Sequence, residues 1–447
     1  MDAISRRAVE DYHRLLEDDA ALREEVEERF LDRLAAARLT FGGRALCSFP
    51  RPNLISPEAY EQVRGVCRGI FAAVERVERE LGEALWDRVE LTPAERELMA
   101  IDPGYARSSP TSRLDSFLTT SAYQFVELNA ETPAGAGYND VLSEVFLETG
   151  PMRRFAERWE VRSFNVRQKL LETLLGCYRE AGGRRERPCI AVVDYDEVPT
   201  RTEHHLFREF FESRGYPSQV CDPRHMEYVS GELRCDGQRV DVIYKRLLVN
   251  ELLERRDQLG ALMQALVERA VVLVNPLRCK PIHKKAIFAV LTDDEVLAWL
   301  APAERAAIQQ HVPWTRRVIP GRTTFRGEPI DLVPFVRAER QQLAIKPNDE
   351  YGGKGVFLGW ELDEAGWDAA IERALAGSYV VQRRVELQRQ RFPRLAPGLE
   401  FADLVVDLDP FLFHGEVEGF LTRLSDTSLA NVSSGGGQVP SFVVRPR

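Results

Sequence analysis

The chain has 447 residues, 44% of them hydrophobic and 29% charged, with a formal net charge of -10 and a sequence pI near 5.5. This length points to two or three structural units with sizeable cores, and the acidic balance excludes a broad basic footprint for nucleic acid. No apolar run is long enough to read as a membrane span. The N-terminal stretch MDAISRRAVEDYHRLLEDD lacks an apolar h-region and does not read as a secretory signal. Seven cysteines (Cys47, Cys67, Cys177, Cys189, Cys221, Cys235 and Cys279) are scattered without a CxxC pair. Such a set reads as free thiols in a reducing compartment, so the expected location is cytoplasmic.

In chain order, segments 6–38, 57–85 and 93–101 carry apolar residues every third or fourth position, which predicts a helical N-terminal region over 1–110. Pro50, Pro52 and Pro57 punctuate it. SFLTTSAYQFVELN is β-compatible, ETPAGAGYND is turn-rich, and 141–182 returns to helical spacing, giving a second unit over 111–185 that ends in an Ala181-Gly182-Gly183 linker. From 186 to 275 the pattern alternates. The short apolar runs CIAVVDY, SQVCD, VDVIYKR and AVVLVNP surround the amphipathic stretch HHLFREFFESRG, as in a small Rossmann-like unit without a GxGxxG fingerprint. A last unit, 276–447, holds the strands LAIKPND, GVFLGW, YVVQRRV and FADLVVDLDPFLF. The expected class is α/β (α+β).

Five stretches could carry chemistry. In LAIKPNDEYGGKGVFLG, Lys346 ends a strand and Gly352, Gly353 and Gly355 form a turn whose backbone N–H groups can approach phosphates. It is not a Walker A loop, since no GK[ST] opens a helix. In YVVQRRVEL, a strand runs into Gln382 and can present backbone groups to an adenine edge. Arg113 and Asp115 share one face of a strand, and Glu127 and Asn129 share one face of another. If the two strands pair, Asp115, Glu127 and Asn129 offer an oxygen ligand set of the kind Mg²⁺ takes together with phosphates, with Arg113 beside it. In HKKAIFAVL, Lys285 heads a helix and can reach a nucleotide, with Lys284 beside it as the alternative. In GEVEGFLTRLSDTSLANVSSGGGQVP, Arg423, Asn431 and Gly435 to Gly437 could form a phosphate-side strand and loop. Each stretch taken alone also describes ordinary structure: a glycine turn with a solvated lysine, a strand end, a half-buried strand, a surface loop. His204, His205 and His283 read as structural, and no Ser-His-Asp or Cys-His constellation is seen.

Together these residues resemble the ATP-grasp superfamily. Its lysine-led helix is matched by Lys285, its lysine before a glycine hairpin by Lys346 with Gly352 to Gly355, and its hinge by Gln382. Its arginine and Asn-glycine run are matched by Arg423 and Asn431. The acidic ligands and the Glu-x-Asn signature fall near the N-terminus instead, at Asp115 and Glu127-Leu128-Asn129. That cyclic order resembles the circularly permuted ATP-grasp proteins of the glutathionylspermidine synthetase-like group, which also carry a segment similar to Asp241-Val242-Ile243-Tyr244-Lys245-Arg246.

The resemblance spans scattered motifs over about 110–447. It departs from the group in its YGGKG loop and in a long interval from Lys285 to Lys346, where residues 300–340 read as an insertion and a candidate lid. It implies ATP and Mg²⁺ as cofactors, metal held by Asp115, Glu127 and Asn129, nucleotide held by Lys285, Lys346, Gly352, Gly353, Gly355, Gln382 and Asn431, and catalysis by Arg113 and Arg423. The implied division is a helical region over 1–110, a metal-ligand part over 111–185, a Rossmann-like pre-ATP-grasp domain over 186–275 and a nucleotide-binding part over 276–447. The implied reaction joins a carboxylate to an amine through an acyl-phosphate. The expected partners are small-molecule carboxylate and amine substrates, with a polypeptide substrate as a variant, and neither nucleic acid nor membrane. A kinase-like ATP-grasp phosphotransferase and a non-catalytic partner protein on the same scaffold are the competing readings. The sequence leaves oligomeric state open, homo-oligomers included.

Overall fold

A computed structural model describes residues 1–41, 43–118, 123–427 and 436–447. The helical spacing of the first hundred residues folds into helices Ala3–Asp18, Ala20–Ala36 and Pro57–Leu81. Asp2, Asp19 and Ser56 cap them by accepting backbone N–H groups of the first turn. The longest buries Tyr60, Val63, Cys67, Ile70, Phe71, Val74 and Val77 along one stripe. Between them, strand Asn53–Ile55 runs parallel to Ser441–Pro446, which pairs in turn with Trp159–Arg162. Sequence-distant segments thus share one small sheet.

The sheet that organises the molecule is antiparallel. Its strands lie in the order Gly437–Val439, Glu416–Ser425, Leu399–Phe413, Thr111–Leu118 and Tyr123–Asn129, with Arg389–Leu395 pairing the long Leu399–Phe413 strand as well. Two strands from early in the chain therefore pair directly beside strands from its end. Side chains alternate across a strand, so one face of this sheet packs on helices and the other is free to line a cleft.

A second sheet is parallel, in the order Val272–Val274, Val242–Lys245, Ile190–Val193, Ser218–Cys221. All four residues of Ile190–Val193 are buried, as a strand covered on both faces requires. Helix Arg201–Ser213 lies on it, burying His204, Phe207 and Phe211. A meander of Met226–Val229, Glu232–Cys235 and Gln238–Arg239 is tied to this sheet by a Cys221–Cys235 disulfide. That corrects the expectation of seven free thiols: the meander folds Cys235 back onto the end of the Ser218–Cys221 strand, a meeting that their spacing in sequence does not announce. Cys47, Cys67, Cys177, Cys189 and Cys279 are free and buried.

The third sheet has the order Thr315–Arg317, Tyr379–Arg383, Leu343–Pro347, Phe357–Leu358. Leu343, Ile345 and Val381 turn inward onto Trp367, Ala370 and Ile371 of helix Glu364–Leu375. By alternation Ala344, Lys346 and Gln382 turn outward. Residues 300–340 include the two-stranded hairpin of Arg322–Phe325 and Glu328–Asp331. They supply the Thr315–Arg317 edge strand, and Val318, Leu332 and Val336 complete the apolar core behind the sheet. Among the described residues no helix is long and apolar enough to cross a membrane.

Trp367 anchors this third core: it is 1% exposed and its Nε1 donates to the Val336 carbonyl at 2.9 Å. Trp367→Ala should cost about 3–5 kcal/mol through the cavity it leaves. The expected readout is a lower denaturant midpoint, and an unchanged midpoint would contradict the packing described.

Candidate active site

A cleft of about 650 Å³ opens between the three sheets. One wall is formed by side chains on one face of the antiparallel sheet. Gln438 pairs in register with Arg423, Arg423 with Asp407, Arg113 with Asn129, and Asp115 with Glu127. The spacing of two between Arg113 and Asp115, and between Glu127 and Asn129, puts all four on this one face.

The row is closely bonded. Arg113 donates to Asp115 through Nε at 2.8 Å and Nη2 at 3.0 Å. Asn129 Nδ2 donates to Asp115 Oδ1 at 2.7 Å, and Arg423 Nη2 donates to Asp115 Oδ2 at 2.8 Å. Arg423 also pairs with Asp407 and, at 2.8 Å, with Asp409. Burial alone would raise the Asp115 carboxyl, but Arg113 and Arg423 outweigh it and hold Asp115 well below the usual carboxylate range. Asp409 goes the other way. Burial, then Asp115 and Asp407 beside it, push its carboxyl well above the usual range. Burial raises Asp407 as well, against the pull of Arg423.

The opposite wall is the outward face of the third sheet. Lys346 Nζ donates to Gln382 Oε1 at 2.7 Å, and Gln382 Nε2 donates to Thr315 Oγ1 at 3.0 Å. Burial lowers the Lys346 ammonium to about 8, with Glu127 opposing the shift. Beyond Lys346 the chain turns through Gly352 and Gly353 at φ of 67° and 76°. These are left-handed conformations that glycine adopts without strain, and both glycines line the cleft. Lys285 closes the space between the walls. Its backbone N–H donates to the Asn348 carbonyl, its Nζ donates to the Glu350 carbonyl at 2.5 Å, and the same Nζ lies 3.2 Å from Glu127 Oε1.

The cleft therefore brings together Arg113, Asp115, Glu127, Asn129, Lys285, Lys346, Gly352, Gly353, Gln382 and Arg423. Gly355 is not on its wall. It has a φ of 68° and packs against Pro347, where an added Cβ would meet Cγ at 2.9 Å. Asn431 and Gly435 lie outside the described residues. Of the two lysines, Lys285 faces the cleft, whereas Lys284 pairs with Glu95 at 3.0 Å and Asp349 at 3.3 Å. Asp115, Glu127 and Asn129 form an all-oxygen set at one corner, the donor chemistry Mg²⁺ takes. The positive partners Arg113, Arg423 and Lys285 already compensate the same charges in the ligand-free chain.

Other cleft residues escape the sequence reading. His283, read there as structural, lines the cleft, as do Asp407 and Gln438. Asp407 and Asp409 sit in an apolar run that reads as a core strand, and only their spacing of two hints that they share a face. Glu131 is 1% exposed and holds a buried cluster: its carboxylate meets Lys280 at 2.8 Å, Lys245 at 3.8 Å and His283 at 3.9 Å, and accepts the Val249 N–H at 2.7 Å. Burial alone would raise its carboxyl, but Lys280, His283 and Lys245 bring it down to about 2. Glu131→Ala leaves Lys280 and Lys245 without their shared carboxylate, so it should cost about 3–5 kcal/mol. Thermal melting of the variant should show a large drop, and wild-type stability would contradict the cluster's role in holding the cleft floor.

No protein-family model and no curated protein matches the sequence. Among solved structures, the glutathione synthetase-like effector GSS30 of Globodera pallida, in its apo form, superposes with a TM-score of 0.59 at 12% identity. The match covers 95% of this chain and 97% of that one. A putative gamma-glutamylcysteine synthetase of Methylobacillus flagellatus KT gives a TM-score of 0.43 at 10% identity, covering 87% and 89%, a similarity too low to argue from. The fold of this chain is similar to that of the glutathione synthetase-like effector.

Proposed function

We propose that the protein is an ATP- and Mg²⁺-dependent carboxylate–amine ligase that works through an acyl-phosphate and releases ADP and phosphate. The observation that carries this reading is the convergence of the row Arg113, Asp115, Glu127, Asn129 and Arg423 on the Lys346–Gln382 wall across one cleft. The pairing of Thr111–Leu118 beside Leu399–Phe413 supports a circularly permuted ATP-grasp arrangement. In that arrangement the unit over 186–275 forms the Rossmann-like domain before the grasp, and 276–447 forms the nucleotide-binding part. The volume suits a nucleotide together with small substrates, which favours small-molecule carboxylate and amine partners.

In this reading the nucleotide lies between the walls. Gln382 and its strand meet the base, Lys346 and Lys285 meet the phosphates, and the backbone N–H groups around Gly352 and Gly353 cover them. Asp115, Glu127 and Asn129 would hold Mg²⁺, which when bound neutralises charge on the phosphate oxygens. The substrate carboxylate attacks the γ-phosphorus, ADP leaves, and the resulting acyl-phosphate is attacked by the amine. Arg113 and Arg423 stabilise the charge that develops on the transferring phosphoryl group and on the tetrahedral intermediate. The chain contributes positioning, charge and exclusion of water, since bulk water would hydrolyse the acyl-phosphate.

Lys346→Ala and Asp115→Asn should each lower ADP release by about 100-fold or more, with circular dichroism unchanged. Full turnover in either variant would overturn the assignment. Gln382→Ala removes one partner of Lys346 and one base contact, so it should weaken nucleotide affinity by roughly tenfold or less, short of the loss in Lys346→Ala. An equal or larger loss at Gln382 in a binding titration would contradict the placement of the base.

A further inference from the structure

The cleft extends past the acidic row to a wall that the proposed nucleotide site does not use. Asp194, Val198, Thr200, Glu203, Arg246 and Glu251 line it, and they come from the segments and helices that follow the strands Ile190–Val193 and Val242–Lys245 of the parallel sheet. The Ile190–Val193 strand has Ser218–Cys221 on one side and Val242–Lys245 on the other. The chain order thus reverses between Ile190–Val193 and Val242–Lys245. In an open parallel sheet the crevice beyond the carboxyl ends of two such strands is where ligands bind. Asp194 follows the end of one strand and Arg246 the end of the other.

This wall is tied to the metal-ligand row. Arg246 Nη1 donates to the Pro133 carbonyl at 2.9 Å and its Nη2 meets Glu203 Oε2 at 3.2 Å. Glu203 Oε1 accepts the Gly135 and Gly137 N–H groups at 2.8 and 2.9 Å. The 132–135 loop, held in this way, leads directly out of the strand that carries Glu127 and Asn129 and lines the same cleft. The wall also has unused polar capacity. Arg246 is 6% exposed and its Nε has no hydrogen-bond partner among the described residues, nor has Thr132 Oγ1. Behind Asp194, the fully buried His204 brings Nε2 to 3.5 Å from Asp194 Oδ2, and its Nδ1 has no partner there either.

We infer that this wall is the amine subsite of the proposed ligase, with Asp194 holding the substrate's primary ammonium and accepting its proton, and His204 acting as the positioning residue behind it. The inference rests on the ligase reading and assigns the groups that serve its second substrate. The step balances as follows. One ammonium proton passes to the Asp194 carboxylate. The freed nitrogen lone pair forms the C–N bond to the acyl-phosphate carbonyl carbon. The C–O bond to phosphorus-bound oxygen breaks with its electron pair, and the second nitrogen-bound proton leaves with the phosphate as hydrogen phosphate.

Glu251, whose carboxylate also accepts the Leu248 N–H at 2.8 Å, adds negative charge at the same end. The groups facing Asp194 are His204 and Glu203 from the helix, Lys245 and Arg246 from the neighbouring strand, and Glu251 from the following helix. Burial raises the Asp194 carboxyl to about 6, with Glu251 raising it further and Arg246, the Tyr195 N–H and Lys245 opposing. The carboxylate is thus charged above that value and lost below it, whereas a simple alkylamine stays an ammonium on both sides.

The test is saturation-transfer NMR on the full chain with n-butylamine as probe and n-butanol as its neutral counterpart, run beside a titration with a non-hydrolysable ATP analogue. Wild type should bind butylamine and not butanol, with affinity falling as pH drops through about 6. Asp194→Asn, which keeps shape and volume, should weaken butylamine about tenfold or more and remove that pH dependence while leaving analogue affinity unchanged. His204→Gln should move the midpoint of the pH profile, which a purely structural role would not do. Butylamine binding that is absent in wild type, or equal in Asp194→Asn, would overturn the subsite while leaving the ligase reading in place if the analogue binds. Failure of the analogue to bind wild type would overturn the ligase reading, and the subsite with it.

Discussion

Three buried carboxylates, Asp115, Asp407 and Asp409, share the guanidinium of Arg423, and the cleft is organised around that sharing. A buried charge is costly unless paired and hydrogen-bonded. Here the pairing requires three strands, from opposite halves of the chain, to lie side by side in fixed register. A slip of one residue in any strand would turn its charged side chains to the packed face. The charge cluster therefore specifies the pairing of early and late strands as firmly as the apolar cores do. Asp409 meets the same constraint through its pairing with Arg423 at 2.8 Å, while burial and the neighbouring carboxylates push its carboxyl well above the usual range.

This arrangement suits a site that must take up and release charge. On the proposed reading a cation at Asp115, Glu127 and Asn129 replaces contacts that Arg423 and Lys285 make in the ligand-free chain. Arg423 then keeps Asp407 as a partner, and Lys285 keeps the Glu350 carbonyl, so neither is stranded when the metal and nucleotide enter. The Glu131 cluster with Lys280 and Lys245 stays closed beneath them and keeps the floor rigid. Rigid support below and exchangeable partners above is the division of labour that positioning catalysis requires.

Much of the cleft's lining was legible in the sequence because its residues sit on short-range patterns. Arg113 and Asp115, and Glu127 and Asn129, are spaced by two on strands, and Lys346 stands just before a glycine turn. These local signals survive without knowledge of the fold. Asp407 and Asp409 were not legible, since FADLVVDLDPFLF reads as a core strand and the arginines that make its two acids tolerable lie elsewhere in the chain. Glu131 was hidden for the same reason: its partners come from 245, 280 and 283. The Cys221–Cys235 disulfide, and the packing of residues 300–340 into the third core, were likewise products of tertiary contact. The parallel order of the 186–275 unit followed from its apolar runs, but the position of its crevice beside the Thr111–Leu118 and Tyr123–Asn129 strands did not.

The central claim is that the two walls form one nucleotide site completed by a divalent cation. Calorimetric titration of the full chain with a non-hydrolysable ATP analogue, in the presence and absence of Mg²⁺, tests it most directly. The account predicts binding that requires Mg²⁺, because without it the triphosphate meets the Asp115 and Glu127 carboxylates while Arg113, Arg423 and Lys285 are already engaged with them. Absence of binding in both conditions would contradict the account.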